Sequence, residues 1–136
     1  FNSQNTTWWK ETFPLMYLPC YCSFRMTDIW RSFIAQRIAW ENGWSILFHA
    51  PTVYQKRNEH DLRRDFQDEV PGYLNNDRII NILSWLSIPP GVGNIPEAMS
   101  LCYHTLVNEG IFDPRELSTL GSWLADIEDI SFSSRS

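Results

Sequence analysis

The sequence contains neither a long apolar run nor a cluster of basic residues. No stretch approaches the roughly 20 apolar residues that a helix needs to cross a bilayer, and residues 1–10 lack the basic start of a signal peptide. Because the first residue is not methionine, we expect a mature or excised segment without a targeting signal of its own. The formal net charge is −5, and without a basic patch nucleic acid is not an expected partner.

Cysteine is scarce, and its count is odd. The three cysteines are Cys20, Cys22 and Cys102. The spacing of the first two suits neither a zinc knuckle nor a disulfide framework. We therefore favour buried or free thiols, and the alternative is one bridge from Cys102 to either Cys20 or Cys22.

The motifs of several enzyme classes are also missing. The sequence has no P-loop and no Gly-x-Ser-x-Gly nucleophile elbow. No Asp-x-Asp pair follows a predicted strand, and the acidic residues Asp126, Glu128 and Asp129 lie near the tail. Residues 90–93 are rich in glycine, but they follow a predicted helix rather than a strand, so we expect no phosphate-binding loop there.

Aromatic and apolar residues are plentiful. With 136 residues, of which 43% are hydrophobic, the chain is long enough for one domain with a real core. Seven tryptophans are too many to leave in water, so most should lie in the core or at an interface. The triplet Asn5-Thr6-Thr7 matches the N-glycosylation signal, which on its own is weak evidence for a secretory lumen.

The first half of the chain predicts a helix followed by a strand. Thr27 is a candidate N-cap, and an apolar pattern continues to Glu41, where Asn42-Gly43 ends the helix. The run 44–49 is almost continuously apolar, as is typical of a strand buried on both faces. Residues 15–18, between two prolines, are predicted to form an edge strand or an extended segment.

The second half predicts only helices. Their predicted spans are 60–69, 76–86, 96–109 and 113–127, with a break at Pro71-Gly72 between the first two. A few strands followed by a helical region predict an α/β fold, or an α+β fold for the isolated piece. Because one or two strands do not make a stable sheet, we expect the missing neighbours upstream of Phe1.

A polar cluster around the first long helix could carry chemistry. Asp28 in the first turn could act as a general base, or it could simply stabilise the helix dipole. Arg31, one turn later, could pair with Asp28 or bind a phosphate. His49 ends the predicted strand, where ligand sites of α/β proteins often open. The polar run 56–60 offers a basic and a metal-binding side chain, or only a solvated surface.

Long stretches of the chain resemble one known family. The runs 23–37, 40–44, 51–60 and 66–76, which include Thr-Asp-Ile-Trp-Arg and Thr-Val-Tyr-Gln-Lys-Arg-Asn-Glu-His, closely resemble the glycosyltransferase family of the plant STELLO proteins. The resemblance covers about half of the chain. It is specific, because long strings of this kind rarely arise by chance.

The resemblance implies a Golgi type II membrane protein whose lumenal domain is similar to the GT-A nucleotide-diphospho-sugar transferase fold. Such a domain uses a nucleotide-sugar donor, a glycan or protein acceptor, and a divalent metal such as Mn²⁺ or Mg²⁺. The nucleotide-binding half and the Asp-rich metal motif of that fold are not in this sequence, so the upstream part of the same protein is expected to supply them. Residues 1–76 then form the acceptor side, and residues 77–136 form a helical C-terminal extension.

The resemblance also implies roles for individual residues. Asp28 corresponds to the base that activates the acceptor, and either His49 or His60 corresponds to the metal-contacting histidine. Substrate contacts are implied for Arg31, Tyr54, Arg57 and Asn58, with Arg57 on the diphosphate. The alternative is a non-catalytic scaffold or trafficking module that binds other membrane glycosyltransferase complexes, as the many tryptophans would allow.

Overall fold

The computed structural model describes Phe1, residues 3–56, Glu59 and residues 61–133. This part of the chain folds into four α-helices and two short 3₁₀ helices, and none of these helices is long and apolar enough to span a membrane. In chain order the elements are a 3₁₀ helix at Lys10–Met16, α1 at Thr27–Glu41, α2 at Leu62–Trp85, a 3₁₀ turn at Val92–Asn94, α3 at Ile95–Asn108 and α4 at Glu116–Ser133.

The predicted α/β fold class is wrong, because the described residues contain helices and no strand. Residues 15 and 16 of the predicted edge strand lie inside the 3₁₀ helix Lys10–Met16. Residues 45–49 are extended, but no backbone hydrogen bond joins them to another described residue. A strand needs a neighbour with unpaired N–H and C=O groups. Trp44, just before residues 45–49, instead packs against the helical core, and the interior backbone groups of a helix are already paired within the helix.

Helix α1 keeps the predicted bounds and lies at the centre of the fold. It packs against α2, α3 and the N-terminal 3₁₀ helix. Trp30, Ile34 and Ile38 on it are buried, so its apolar residues form the interior as the pattern predicts. Gly43 follows with a φ of +69°, a left-handed conformation that favours glycine after a helix end.

Helix α2 is one continuous helix rather than the two predicted. It begins at the N-cap Asp61, whose side chain accepts hydrogen bonds from the backbone N–H groups of the second and third residues of the helix. The predicted break at Pro71-Gly72 does not occur. Gly72 is buried against Met26, and a Cβ atom on Gly72 would lie 2.6 Å from the Met26 sulfur. Close packing on α1 thus holds the helix together through a sequence that locally favours a turn.

Helices α3 and α4 complete a single core. Ile95, Cys102, Tyr103 and Leu106 of α3 are fully buried, and Leu120 of α4 is also buried. The boundary that we predict between residues 76 and 77 falls within α2. The division of the chain into an acceptor side and a C-terminal extension stays a prediction.

All three cysteines are free thiols, as favoured, and burial raises the pKa of Cys102 to about 12.

Side-chain hydrogen bonds tie α1 to α2. The guanidinium of Arg37 donates to the carbonyl oxygens of Leu83 and Leu86, each at 2.9 Å, and so caps the C-terminal end of α2. The indole N–H of Trp30 donates to the side-chain oxygen of Asn76 at 3.0 Å. These bonds hold α1, which carries the candidate base, at a fixed angle to α2.

Candidate functional site

Asp28 lies half-buried in the first turn of α1, next to the N-terminal segment. Its Oδ2 atom accepts a hydrogen bond of 3.1 Å from the backbone N–H of Ser3. Asp28 is the second residue of α1, so the helix backbone fixes where its carboxylate begins. The helix dipole favours a negative charge at this end.

Arg31 is the most deeply buried of the candidate residues that the structure describes, with only 3% of its surface exposed. Its Nη2 atom donates to the Ser3 hydroxyl oxygen at 2.7 Å. Burial lowers the pKa of Arg31, and the nearby carboxylate of Asp28 opposes that shift. The Nε atom of Arg31 is buried without a hydrogen-bond partner, as is the hydroxyl of Tyr103. The structure therefore brings Asp28 and Arg31 together around one residue, Ser3.

A strap formed by Phe1 and residues 3–8 covers this pair. The guanidinium carbon of Arg31 lies 5.5 Å from the ring centroid of Phe1 and 4.9 Å from that of Trp8. Both distances are in the range of a cation–π interaction. The strap also shields Arg31 from water, which strengthens its hydrogen bond to Ser3.

His49 and Tyr54 lie elsewhere, on the exposed extended segment 44–56. The Nδ1 atom of His49 lies 2.7 Å from the carbonyl oxygen of Ala50, and no hydrogen bond or ion pair joins His49 to Asp28 within the described ranges. Our predictions for Arg57, Asn58 and His60 fall outside the residues that the structure describes.

No complete metal site is present in the part of the chain that the structure describes. A bound divalent ion needs several carboxylate or imidazole ligands close together, and the described residues contain no group of three such side chains. His49 lies alone on its segment. The described residues do not fit a metal ion by themselves, so no chemical step is assigned to one.

A broad groove of about 1180 Å³ separates the strap from the extended segment. Phe1 and Trp8, which cover Arg31, also form part of its wall, whereas Asp28 and Arg31 do not line it. Trp44 and His49 of the extended segment also line it. The groove and the Asp28–Arg31 pair thus share one aromatic wall.

Sequence reasoning missed Glu116, the first residue of α4, which is fully buried. Its carboxylate accepts hydrogen bonds from the hydroxyl of Tyr17 and from the backbone N–H groups of Cys20 and Tyr21. Burial of the Tyr17 phenol, together with its hydrogen bond to Glu116, raises the pKa of Tyr17. The only sequence signal was an acidic residue just after Asp113-Pro114, which normally indicates nothing more than a favourable helix start. The contacts of Glu116 anchor the chain before α1, which is a structural role.

Comparison with known proteins gives the family. Residues 25–136 match the family described as STELLO glycosyltransferases. The chain is 26% identical over 127 residues to "Probable glycosyltransferase STELLO2" of Arabidopsis thaliana, which covers 93% of this chain and 16% of that protein. It is 25% identical over 132 residues to "Probable glycosyltransferase STELLO1" of the same plant, which covers 96% of this chain and 16% of that protein.

The chain therefore spans about one sixth of the length of these curated relatives. No solved structure matches it. Since the family match covers most of the sequence, from residue 25 to the last residue, the chain belongs to the STELLO glycosyltransferase family.

Proposed function

We propose that this chain forms the acceptor side of a glycosyltransferase that moves a sugar from a nucleotide-sugar donor to an acceptor hydroxyl in the Golgi lumen. Membership of the STELLO family supports the reaction class. The donor-binding half belongs, in this proposal, to another part of the same polypeptide, consistent with the small share of the relatives that this chain spans.

The observation that carries the proposal is the position of Ser3. Its hydroxyl oxygen accepts a hydrogen bond from Arg31, and its N–H group donates to Asp28. A hydroxyl-bearing group is thus held between a carboxylate and a guanidinium. We infer that an acceptor hydroxyl takes the place of Ser3 when the strap moves aside.

In that position the two side chains have complementary roles. The acceptor oxygen attacks the anomeric carbon of the donor sugar, its proton passes to the carboxylate of Asp28, and the bond from that carbon to the diphosphate breaks. The nucleoside diphosphate leaves with the electrons of that bond. Arg31 orients the acceptor oxygen through a hydrogen bond.

A divalent ion, Mn²⁺ or Mg²⁺, and His49 or His60 as its contact remain part of the proposal. The described residues supply no ligand set of their own, so most ligands come from outside this chain. Such an ion, held mainly by residues outside this chain, would supply positive charge near the leaving diphosphate. The proposal also keeps three substrate contacts that the family resemblance implies, namely Tyr54, Arg57 and Asn58.

The test is turnover by a full-length family polypeptide that contains this chain, assayed with a panel of nucleotide sugars and Mn²⁺. Replacing a general base typically lowers kcat by about 10²–10⁴-fold, so we expect a loss of that size for Asp28→Asn. The matched control is Asp77→Asn, at an exposed position of α2, which should leave turnover unchanged. Full turnover by Asp28→Asn would show that the assigned base is wrong.

The second candidate function is a scaffold that binds other membrane glycosyltransferases. It is supported by an exposed apolar row on α2, in which Leu62, Phe66 and Tyr73 share one helix face. The rings of Phe66 and Tyr73 lie 6.5 Å apart. Exposed aromatic side chains are frequent anchors of protein interfaces.

Calorimetry separates the two candidates. A scaffold should give no heat with a nucleotide sugar or Mn²⁺, yet should lose partner binding in the variant Phe66→Ser. A transferase should give heat with the donor and keep it in that variant.

A further inference from the structure

The groove between the strap and the extended segment has the chemistry of a carbohydrate site. Five phenylalanine and tryptophan side chains line it, together with amide and hydroxyl groups. The aromatic residues are Phe1, Trp8, Trp9, Trp44 and Phe48, and the amide and hydroxyl residues include Asn5, Thr7, Thr12 and Ser45. Flat aromatic rings stack on the apolar C–H faces of sugar rings, while amides and hydroxyls bond to sugar hydroxyls.

The charge of the groove selects among sugar-containing ligands. No lysine or arginine side chain is among its described lining residues, and the ionisable side chains there are Glu11 and His49. A nucleotide sugar carries a diphosphate, which proteins hold with arginine, lysine or a metal. A groove whose described lining has one carboxylate, one histidine and no lysine or arginine favours a neutral ligand instead.

The size of the groove indicates an oligosaccharide rather than one sugar. Pockets for small molecules measure about 300–1,000 Å³, and this groove reaches about 1180 Å³. Its aromatic side chains are available to a ligand, because Trp9 is 75% exposed and Phe48 is also exposed. An exposed aromatic row of this kind marks a binding surface more often than a chance feature.

One end of the groove is held by an unusual contact. Asn5 has a φ of +54°, which is uncommon for a residue other than glycine. Its side-chain oxygen accepts a hydrogen bond of 3.0 Å from the hydroxyl of Thr52, which joins the strap to the extended segment. Backbone conformations of this type are over-represented at ligand sites.

We propose that this aromatic groove binds a neutral oligosaccharide, as the extended acceptor site of the enzyme. Only the acceptor role of the glycan rests on the proposed function. Glycan binding by the groove is proposed whether or not the chain takes part in sugar transfer. Phe1 and Trp8 line the groove and lie over the guanidinium of Arg31, so a glycan in the groove lies next to the candidate site.

The test is direct binding, followed by NMR of the tryptophan indole groups in the 136-residue chain. The probes are neutral oligosaccharides of glucose, xylose, galactose and N-acetylglucosamine, with UDP-glucose as the charged probe. At least one neutral oligosaccharide should shift the indole signals of Trp9 and Trp44 and leave that of Trp85 unchanged. Trp85 is the reference because it is 90% exposed on α2 and does not line the groove.

Two variants and one control then locate the site. Trp9→Ala and Phe48→Ala, both at exposed positions, should weaken binding at least about tenfold, as the loss of an aromatic anchor does. Trp85→Ala should bind like the unchanged chain. Oligosaccharide binding by the unchanged chain, if the full-length polypeptide shows no turnover, separates this proposal from the proposed function.

Three results would overturn the proposal. The first is the absence of any shift with all four neutral oligosaccharides. The second is tighter binding of UDP-glucose than of every oligosaccharide at the same indole signals. The third is a dimer in sedimentation experiments that Trp9→Ala dissolves, which would assign the groove to a second copy of the chain.

Discussion

Helix α1 and the extended segment that follows it are neighbours in sequence and opposites in environment. On α1, Ile38 is completely buried, whereas Leu47 on the segment is 85% exposed. Both stretches are rich in apolar residues. The helix pairs its own backbone groups and can bury its side chains against other helices, while the segment depends on a partner for both.

The comparison teaches that the stable core and the proposed binding surface come largely from different parts of this small chain. The helices α1 to α4 contribute most of the core, and the strap with the extended segment contributes most of the groove, which Ala35 and Ala39 of α1 also line. Segments with few buried contacts are the ones that open most readily. The candidate site lies where these two regions meet, since Ser3 of the strap contacts Asp28 and Arg31 of α1.

The largest effect on the free energy of unfolding should come from truncating an apolar side chain of equal size to alanine in each of the two regions. Ile38→Ala leaves a cavity in the core and should lower the free energy of unfolding by about 2–5 kcal/mol. Leu47→Ala removes a side chain that is already in water and should change it by less than about 0.5 kcal/mol. Urea unfolding followed by circular dichroism measures both. Equal losses would mean that the segment is packed as tightly as the helix.

A smaller effect should come from the buried carboxylate at the start of α4. Glu116→Gln keeps the shape but places an NH₂ group near donors, and we expect a loss of about 1–3 kcal/mol in unfolding free energy. The control is Glu97→Gln, because Glu97 is also acidic in a first helical turn but is exposed. Its effect should be about 0.3–1 kcal/mol. If thermal melts show the same shift for both variants, the contacts of Glu116 are not what anchors the segment before α1.

The last effect is absent at neutral pH and should appear only at alkaline pH. The pKa of the Cys102 thiol is raised from 9.0 to about 12 by burial, so the unfolded chain loses this proton at lower pH than the folded one. The contribution of the thiol is fully present below pH 9 and falls as pH rises toward 12, by at most about 1.4 kcal/mol per pH unit. Between pH 9 and 11, the melting temperature should therefore fall less steeply with pH in Cys102→Ala than in the unchanged chain. An unchanged slope would indicate that the thiol already titrates normally in the folded chain.

The helices were largely predictable, because their signals are local. The bounds of α1 and the start and end of α3 follow from apolar spacing, Gly43 and Pro96. The error at Pro71-Gly72 has a different origin. That pair favours a turn in isolation, but packing of Gly72 on Met26 keeps α2 continuous, and no local signal reports a contact between residues so far apart in sequence.

The site was predictable in part. Asp28 and Arg31 were expected to lie close together because they are one helical turn apart, and the structure gives them a common partner in Ser3. No pattern predicted that partner, since Ser3 precedes Asp28 by 25 residues. The sequence also could not show that Trp8, Trp44 and Phe48 line one groove, because these residues come from separate segments of the chain.

The sequence by itself was enough to predict the main helices and to favour free thiols, and its resemblance to the STELLO glycosyltransferases gave the family. Whether the apolar run 44–49 joins a sheet, and which side chains meet at Glu116 and around Arg31, depended on neighbours distant in sequence. Helix spacing needs only interactions between residues a few positions apart, whereas burial and strand pairing need a second surface, and only the folded chain supplies it.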